Sequence, residues 1–109
     1  LWSRGLGDVY KRQDVGRIGG ITPWLKVAHM AEAYNVPVCP HFLMEIHVAL
    51  CCAVPNSRWL EYIPQLDMVT ERGMRIENGR AIPSDEPGLG IAWDWDRIGK
   101  LTLHRSRHG

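Results

Sequence analysis

The sequence has little cysteine, no long apolar run and no excess of charge of one sign. Three cysteines occur in 109 residues, Cys39, Cys51 and Cys52. An odd count with two adjacent positions suits neither a disulfide framework nor a zinc knuckle. The cysteines therefore read as reduced, buried small side chains in a cytoplasmic protein. The longest apolar stretch, Val48 to Val54, falls far short of the ~20 residues of a membrane span, so no membrane partner is expected. The formal charge is only +1. Residues 1–13 carry three basic and one acidic side chain, residues 102–109 carry two basic and none acidic, and the middle is net acidic. Without a basic stripe or aromatics set among basic residues, no nucleic-acid partner is expected. Apolar content of 45% and charged content of 23% fit a folded chain rather than a disordered one, long enough for one small domain.

The first thirteen residues stand apart. "LWSRGLGDVYKRQ" has no apolar h-region and no helical or alternating pattern that continues past Gln13, so it does not read as a signal peptide. Within it "SRGLGDVYKRQ", residues 3–13, resembles the in-frame translation of a transposon-type sequencing adapter, and residues 1–13 read as a non-native leader.

From Asp14 onward the chain alternates. "DVGRIGG", residues 14–20, is expected to be a short extended stretch running into a Gly19-Gly20 turn. Thr22 as N-cap and Pro23 at the first helical position predict a helix. Its inner face would carry Trp24, Val27, Ala28, Ala31 and Tyr34, and its solvated face Lys26, His29 and Glu32. Val36 to Pro40 is apolar without alternation, as in a parallel strand covered on both faces. Residues 44–54, "MEIHVALCCAV", predict a buried helix in which His47 packs against a neighbour, and "RWLEYI", residues 58–63, predicts a third strand supported by Arg58 and Trp59. Strand, helix, strand, helix, strand is the rhythm of parallel α/β units. Further on, Asn78-Gly79 lies between two short extended runs and predicts a hairpin. "DWDRIGKL" predicts a short helix capped by Asp94 with Lys100 near its end.

Functional groups in parallel α/β sheets gather just past the carboxyl ends of strands. The three predicted strands offer Asp14, His41 and Glu61 there, 27 and 20 residues apart. One strand-plus-helix unit per step would set Asp14 beside His41 and His41 beside Glu61. A carboxylate next to an imidazole orients the ring and fixes its tautomer, as a general acid or base requires. On the residues alone the alternative stands that His41 closes a loop and Asp14 is solvated.

"DVGRIGGITPWLKVAHMAEAYNVPVCPHFLMEIH", then "WLEYI" and "PGLGIAW", resembles the carboxyl-terminal part of the mandelate racemase and muconate lactonizing branch of the enolase superfamily, over residues 14 to about 100. The resemblance implies an α/β fold, the last three strands of a (β/α)7β TIM-like barrel with their helices over residues 14–66. Residues 67–109 would then be a hairpin, loop and short helix returning to a capping domain. It further implies His41 as the base that removes a proton α to a carboxylate or the acid that protonates a leaving hydroxide, with Asp14 orienting it. Glu61 would hydrogen-bond the developing enediolate oxygen, which requires it to carry or share a proton. Mg²⁺ is the implied cofactor, because an α-carbon proton is too weakly acidic for imidazole unless the enediolate is stabilised. Its ligands are expected on earlier strands, outside this sequence, so that the chain alone is expected to be inactive and to hold no metal in the family's manner. "PHFLMEIH" looks most like acid-sugar dehydratases, with racemases, epimerases and cycloisomerases as the alternative. The parent is expected to be a homo-oligomer acting on a small-molecule carboxylate. A reading from a different class is a non-catalytic metal- or thiol-binding module built on Cys39, His41, His47 and Cys51, whose spacing is poor.

Overall fold

A computed structural model describes residues 11–107. The leader expected over residues 1–13 therefore lies, for residues 1–10, outside the described residues. The first strand, β1 (Lys11–Gln13), pairs in parallel with β2 (Val38–Pro40), in the register Lys11↔Val38, Arg12↔Cys39, Gln13↔Pro40. Between them runs α1 (Ile21–Ala33), and α2 (Met44–Ala53) follows β2.

The sequence placed the first extended stretch at residues 14–20, and the structure moves it. Residues 15–19 form turns, and the strand lies before Asp14. The reason is local: the Asp14 carbonyl accepts from the amides of Arg17 (3.2 Å) and Ile18 (3.0 Å), and the Val15 carbonyl accepts from Gly20 (2.8 Å), which folds the segment back on itself. The helix start also differs. Gly20, not Thr22, is the N-cap, with φ 113° and ψ −169°, a conformation that glycine alone adopts without strain. Its carbonyl accepts from the Trp24 amide and closes the first turn. Pro23 sits inside that turn, where its missing N–H costs nothing.

Helical spacing works as expected for Trp24, Ala28 and Ala31, which are buried, whereas Tyr34 is exposed because the helix ends at it. With Val15, Val38, Leu50 and Val54 they form one core, sandwiched between the two helices and the sheet. All three residues of β2 are buried, as an unalternating strand covered on both faces requires. Asn56 ties the layers together: its side-chain amide donates to the carbonyls of Ala28 and Val36, both at 3.0 Å.

The third strand, expected over residues 58–63, is reduced to one parallel bridge, Val38↔Ser57. Val38 donates to the Asn56 carbonyl (2.9 Å) and accepts from Arg58 (3.2 Å). In a parallel ladder the next donor on this side of β2 would be residue 40, which is proline and has no N–H. The ladder stops there, and residues 58–65 continue without strand pairing, with Trp59 exposed.

The tail agrees closely with the sequence reading. β3 (Arg75–Glu77) and β4 (Arg80–Ile82) are antiparallel across Asn78 (φ 50°) and Gly79 (φ 73°), the two left-handed positions of a tight hairpin. In α3 (Trp95–Leu101) the Asp94 carboxylate accepts from the Arg97 amide at 2.9 Å, and Lys100 lies in the last turn. No helix among the described residues is long and apolar enough to cross a membrane.

Candidate functional site

The β1–β2 register decides where the site forms. Each pair in it is offset by 27 residues, ending with Gln13↔Pro40. The next residue on each strand is Asp14 and His41, so the two side chains leave the sheet as neighbours. Asp14 Oδ2 lies 3.5 Å from His41 Nδ1, long for a hydrogen bond. Asp14 Oδ1 is held by the Gly16 amide at 2.9 Å, and Arg17 Nε lies 3.8 Å from Oδ2. These contacts fix the carboxylate, which is only 10% exposed. On the other side of the ring, His41 Nε2 lies 3.8 Å from Glu61 Oε2. The same Glu61 oxygen accepts from the Phe42 amide at 3.0 Å. The three residues singled out in the sequence thus meet at one rim, with Asp14 facing one ring nitrogen and Glu61 the other.

How His41 is presented was not legible in the sequence. Phe42 and Leu43 both adopt left-handed backbone angles, φ 63° and 42°. Two consecutive non-glycine residues there cost roughly 1–3 kcal/mol each, and they persist only where the surroundings over-determine them. Several bonds do so: Glu61 takes the Phe42 amide, the amides of Ile46 and His47 bond the Leu43 carbonyl, and the His47 ring reaches both carbonyls. The sharp turn sends the His41 ring away from the core, and the Phe42 ring packs beside it with centroids 6.3 Å apart. A cavity of about 400 Å³ opens at the pair, lined by Asp14, Gly16, Arg17, His41, Phe42 and Gln65. That volume suits a small polar molecule. Gln65 carried no signal in the sequence.

His47 is the other residue whose role the sequence understated. It packs against Trp24 of α1 as expected, with ring centroids 5.9 Å apart, but it is also fully buried and bonds the backbone of both rim loops. Burial lowers its pKa, only partly opposed by the Phe42 and Leu43 carbonyls.

The metal- or thiol-binding arrangement does not form. Cys39 is buried as expected, but Cys51 is half-buried and Cys52 exposed, because successive helix positions turn away from one another; all three are free thiols. Burial raises the Cys51 pKa, which disfavours a thiolate ligand. Both nitrogens of His47 are engaged by backbone groups. Among the described residues no group of three or more His, Cys, Asp or Glu is placed to hold a metal ion, so Asp14, His41 and Glu61 do not fit a resident cation.

Comparison with known proteins places these features in context. Residues 5–97 match a family described as enolase C-terminal domain-like. An L-talarate/galactarate dehydratase from Salmonella typhimurium is 36% identical over 87 residues, covering 80% of this chain and 22% of the relative. A 3,6-anhydro-alpha-L-galactonate cycloisomerase from Streptomyces coelicolor is 32% identical over 91 residues, covering 83% and 25%. The crystal structure of an L-talarate dehydratase from Polaromonas sp. JS666, complexed with Mg and L-glucarate, superposes with a TM-score of 0.76 at 36% identity, over 84% of this chain and 25% of that one. The chain spans about a quarter of the length of these relatives.

Proposed function

The chain belongs to the enolase C-terminal domain-like family, and from that premise we propose that a whole protein carrying this segment is an acid-sugar dehydratase acting by proton abstraction α to a carboxylate. The observation that supports this most is the convergence of Asp14, His41 and Glu61 on one rim beside a cavity of about 400 Å³.

In this reading His41 is neutral, with the Nδ1 proton directed at Asp14 Oδ2, and the Nε2 lone pair is the base. Asp14 holds the ring in that tautomer and stabilises the imidazolium that forms. The carbon–hydrogen bond breaks and its proton moves to Nε2. The electron pair enters the enediolate, one oxygen of which accepts a hydrogen bond from Glu61, which must carry a proton to donate it. Collapse of the enediolate expels the β-hydroxyl, which takes the proton from Nε2 and leaves as water, so His41 returns neutral and the product is an enol that tautomerises to a 2-keto acid. Mg²⁺, with which the Polaromonas relative is complexed, would supply further electrostatic stabilisation of the enediolate when bound in the whole protein. Its ligands in this reading lie in parts of the whole protein outside this chain, since the described residues do not fit it. The 109-residue chain alone is accordingly expected to show no turnover.

Likeness to the cycloisomerase favours a second reading, since the same base serves a different fate of the enediolate. The test is His41→Asn in the whole-length protein, incubated with galactarate or L-talarate in deuterated water. Loss of 2-keto product by at least about 10²-fold together with loss of deuterium uptake at the α-carbon is expected. Retained exchange in that variant refutes His41 as the base, and exchange without water loss in the unaltered protein moves the assignment to a racemase or cycloisomerase.

A further inference from the structure

We infer that His47 is a positioning residue: its buried, neutral ring, fixed in a single tautomer, clamps the Asp14 loop to the His41 loop and sets the distance between the two working groups. The inference rests on the proposed function only in taking Asp14 and His41 as the working pair.

The tautomer is dictated by the partners. His47 Nδ1 lies against the carbonyl oxygens of Phe42 and Leu43, the latter at 3.1 Å. Carbonyls only accept, so Nδ1 carries the hydrogen. His47 Nε2 lies 3.1 Å from the Val15 amide nitrogen. That N–H only donates, so Nε2 must present a lone pair. The ring therefore makes both ends of a bridge that no other state reproduces. The opposite tautomer sets the one Nδ1 lone pair against two carbonyl oxygens and the Nε2–H against the Val15 N–H, and an imidazolium loses the Val15 bond.

The bridge spans 32 residues of sequence and touches the backbone beside each working group. Val15 comes directly after Asp14, and Phe42 directly after His41. On one side it pins the turn whose carboxylate faces His41 Nδ1, and on the other it satisfies the carbonyls of the left-handed pair that presents the His41 ring. Burial holds the ring neutral. It opposes a charge most strongly, His41 opposes it too, the Phe42 and Leu43 carbonyls and Asp14 favour it, and Trp24, packed against the ring from α1, brings no charge. His47 is fully buried, and its absence from the cavity lining makes it a positioning group rather than one that touches substrate.

The test uses the whole-length protein labelled with ¹⁵N-histidine and read by long-range proton–nitrogen NMR at neutral pH, with the His47 signals assigned by their loss in the variants below. The expected His47 signature is a protonated Nδ1 and an unprotonated Nε2; the opposite pattern, or a mixture, overturns the inference. Two variants probe the bridge. His47→Asn offers an amide donor near Nδ1 but leaves Val15 without an acceptor. His47→Gln reaches the Nε2 position and restores one. Val15 amide exchange is expected to rise at least about tenfold in His47→Asn, the loss of one protecting hydrogen bond, and to return toward the unaltered rate in His47→Gln, with the His41 ring losing its single-tautomer signature only in the first. An unchanged His41 signature in a folded His47→Asn protein overturns the clamp. Should that variant not fold, the His47 signature of the unaltered protein and the His47→Gln exchange rate decide. These readouts are geometric, so the clamp and the lyase reading fail separately: a confirmed bridge in a protein without dehydratase activity sinks only the latter.

Discussion

Trp24 offers a quantitative test of the core beneath the site. It is fully buried, and its indole nitrogen has no hydrogen-bond partner. A buried, unpaired donor costs about 1–3 kcal/mol. Replacing the indole by phenyl removes two ring carbons and that nitrogen. At about 0.8 kcal/mol per buried carbon the lost packing is about 1.6 kcal/mol, which the removed penalty offsets. Trp24→Phe should thus fall within about 1 kcal/mol of the parent chain, whereas Trp24→Ala empties the space under the His47 ring and should cost about 3–5 kcal/mol. Urea titration followed by far-ultraviolet circular dichroism measures both without relying on the deleted fluorophore. A Trp24→Phe cost as large as that of Trp24→Ala would mean that the indole N–H is bonded after all, and the reasoning from an unpaired donor would fall.

A fully buried and a half-buried group predict opposite pH dependences. The His47 pKa is lowered in the fold, chiefly by burial, so the unfolded chain binds more protons below its ordinary pKa of about 6.5. Its contribution is complete above that pH and is lost as pH falls through the folded value, and the slope of urea midpoints between about pH 7 and pH 5 should flatten in His47→Gln. The Glu45 pKa is raised, first by burial and less by Asp67, against its own backbone hydrogen bond. Its contribution is present below the ordinary carboxylate range and is lost as pH rises through the folded value, so Glu45→Gln should raise the urea midpoint at about pH 7 and leave it nearly unchanged near about pH 4; no gain at neutral pH refutes this. Asp94→Ala removes the cap of α3 and should cost about 1 kcal/mol, seen as faster amide exchange at Arg97, whose N–H the carboxylate accepts.

What could be read in the sequence was local or periodic. Trp24, Ala28 and Ala31 mark a helix face by spacing, Asn78-Gly79 marks a hairpin by its tolerance of left-handed angles, and Asp94 marks a cap by its side-chain oxygen. The early extended stretch failed because the carbonyls of Asp14 and Val15 bond amides three to five residues on, and "DVGRIGG" gives no periodic sign of a turn. The third strand failed for a reason visible only once strands were paired: Pro40 faces that side of the sheet and supplies no donor.

The sequence by itself determined which ionisable groups stand near the predicted strand ends, and at 27 and 20 residues their separations match one strand and one helix per step. Tertiary structure decided that Asp14 and His41 are 3.5 Å apart, that Phe42 and Leu43 turn left-handed to present the imidazole, and that His47 lies beneath them with both nitrogens committed to backbone groups. The physical reason is range. Spacing along a strand or helix is written in neighbouring residues, whereas a hydrogen bond from Val15 to His47 closes a loop of 32 residues, and nothing in either segment alone specifies it.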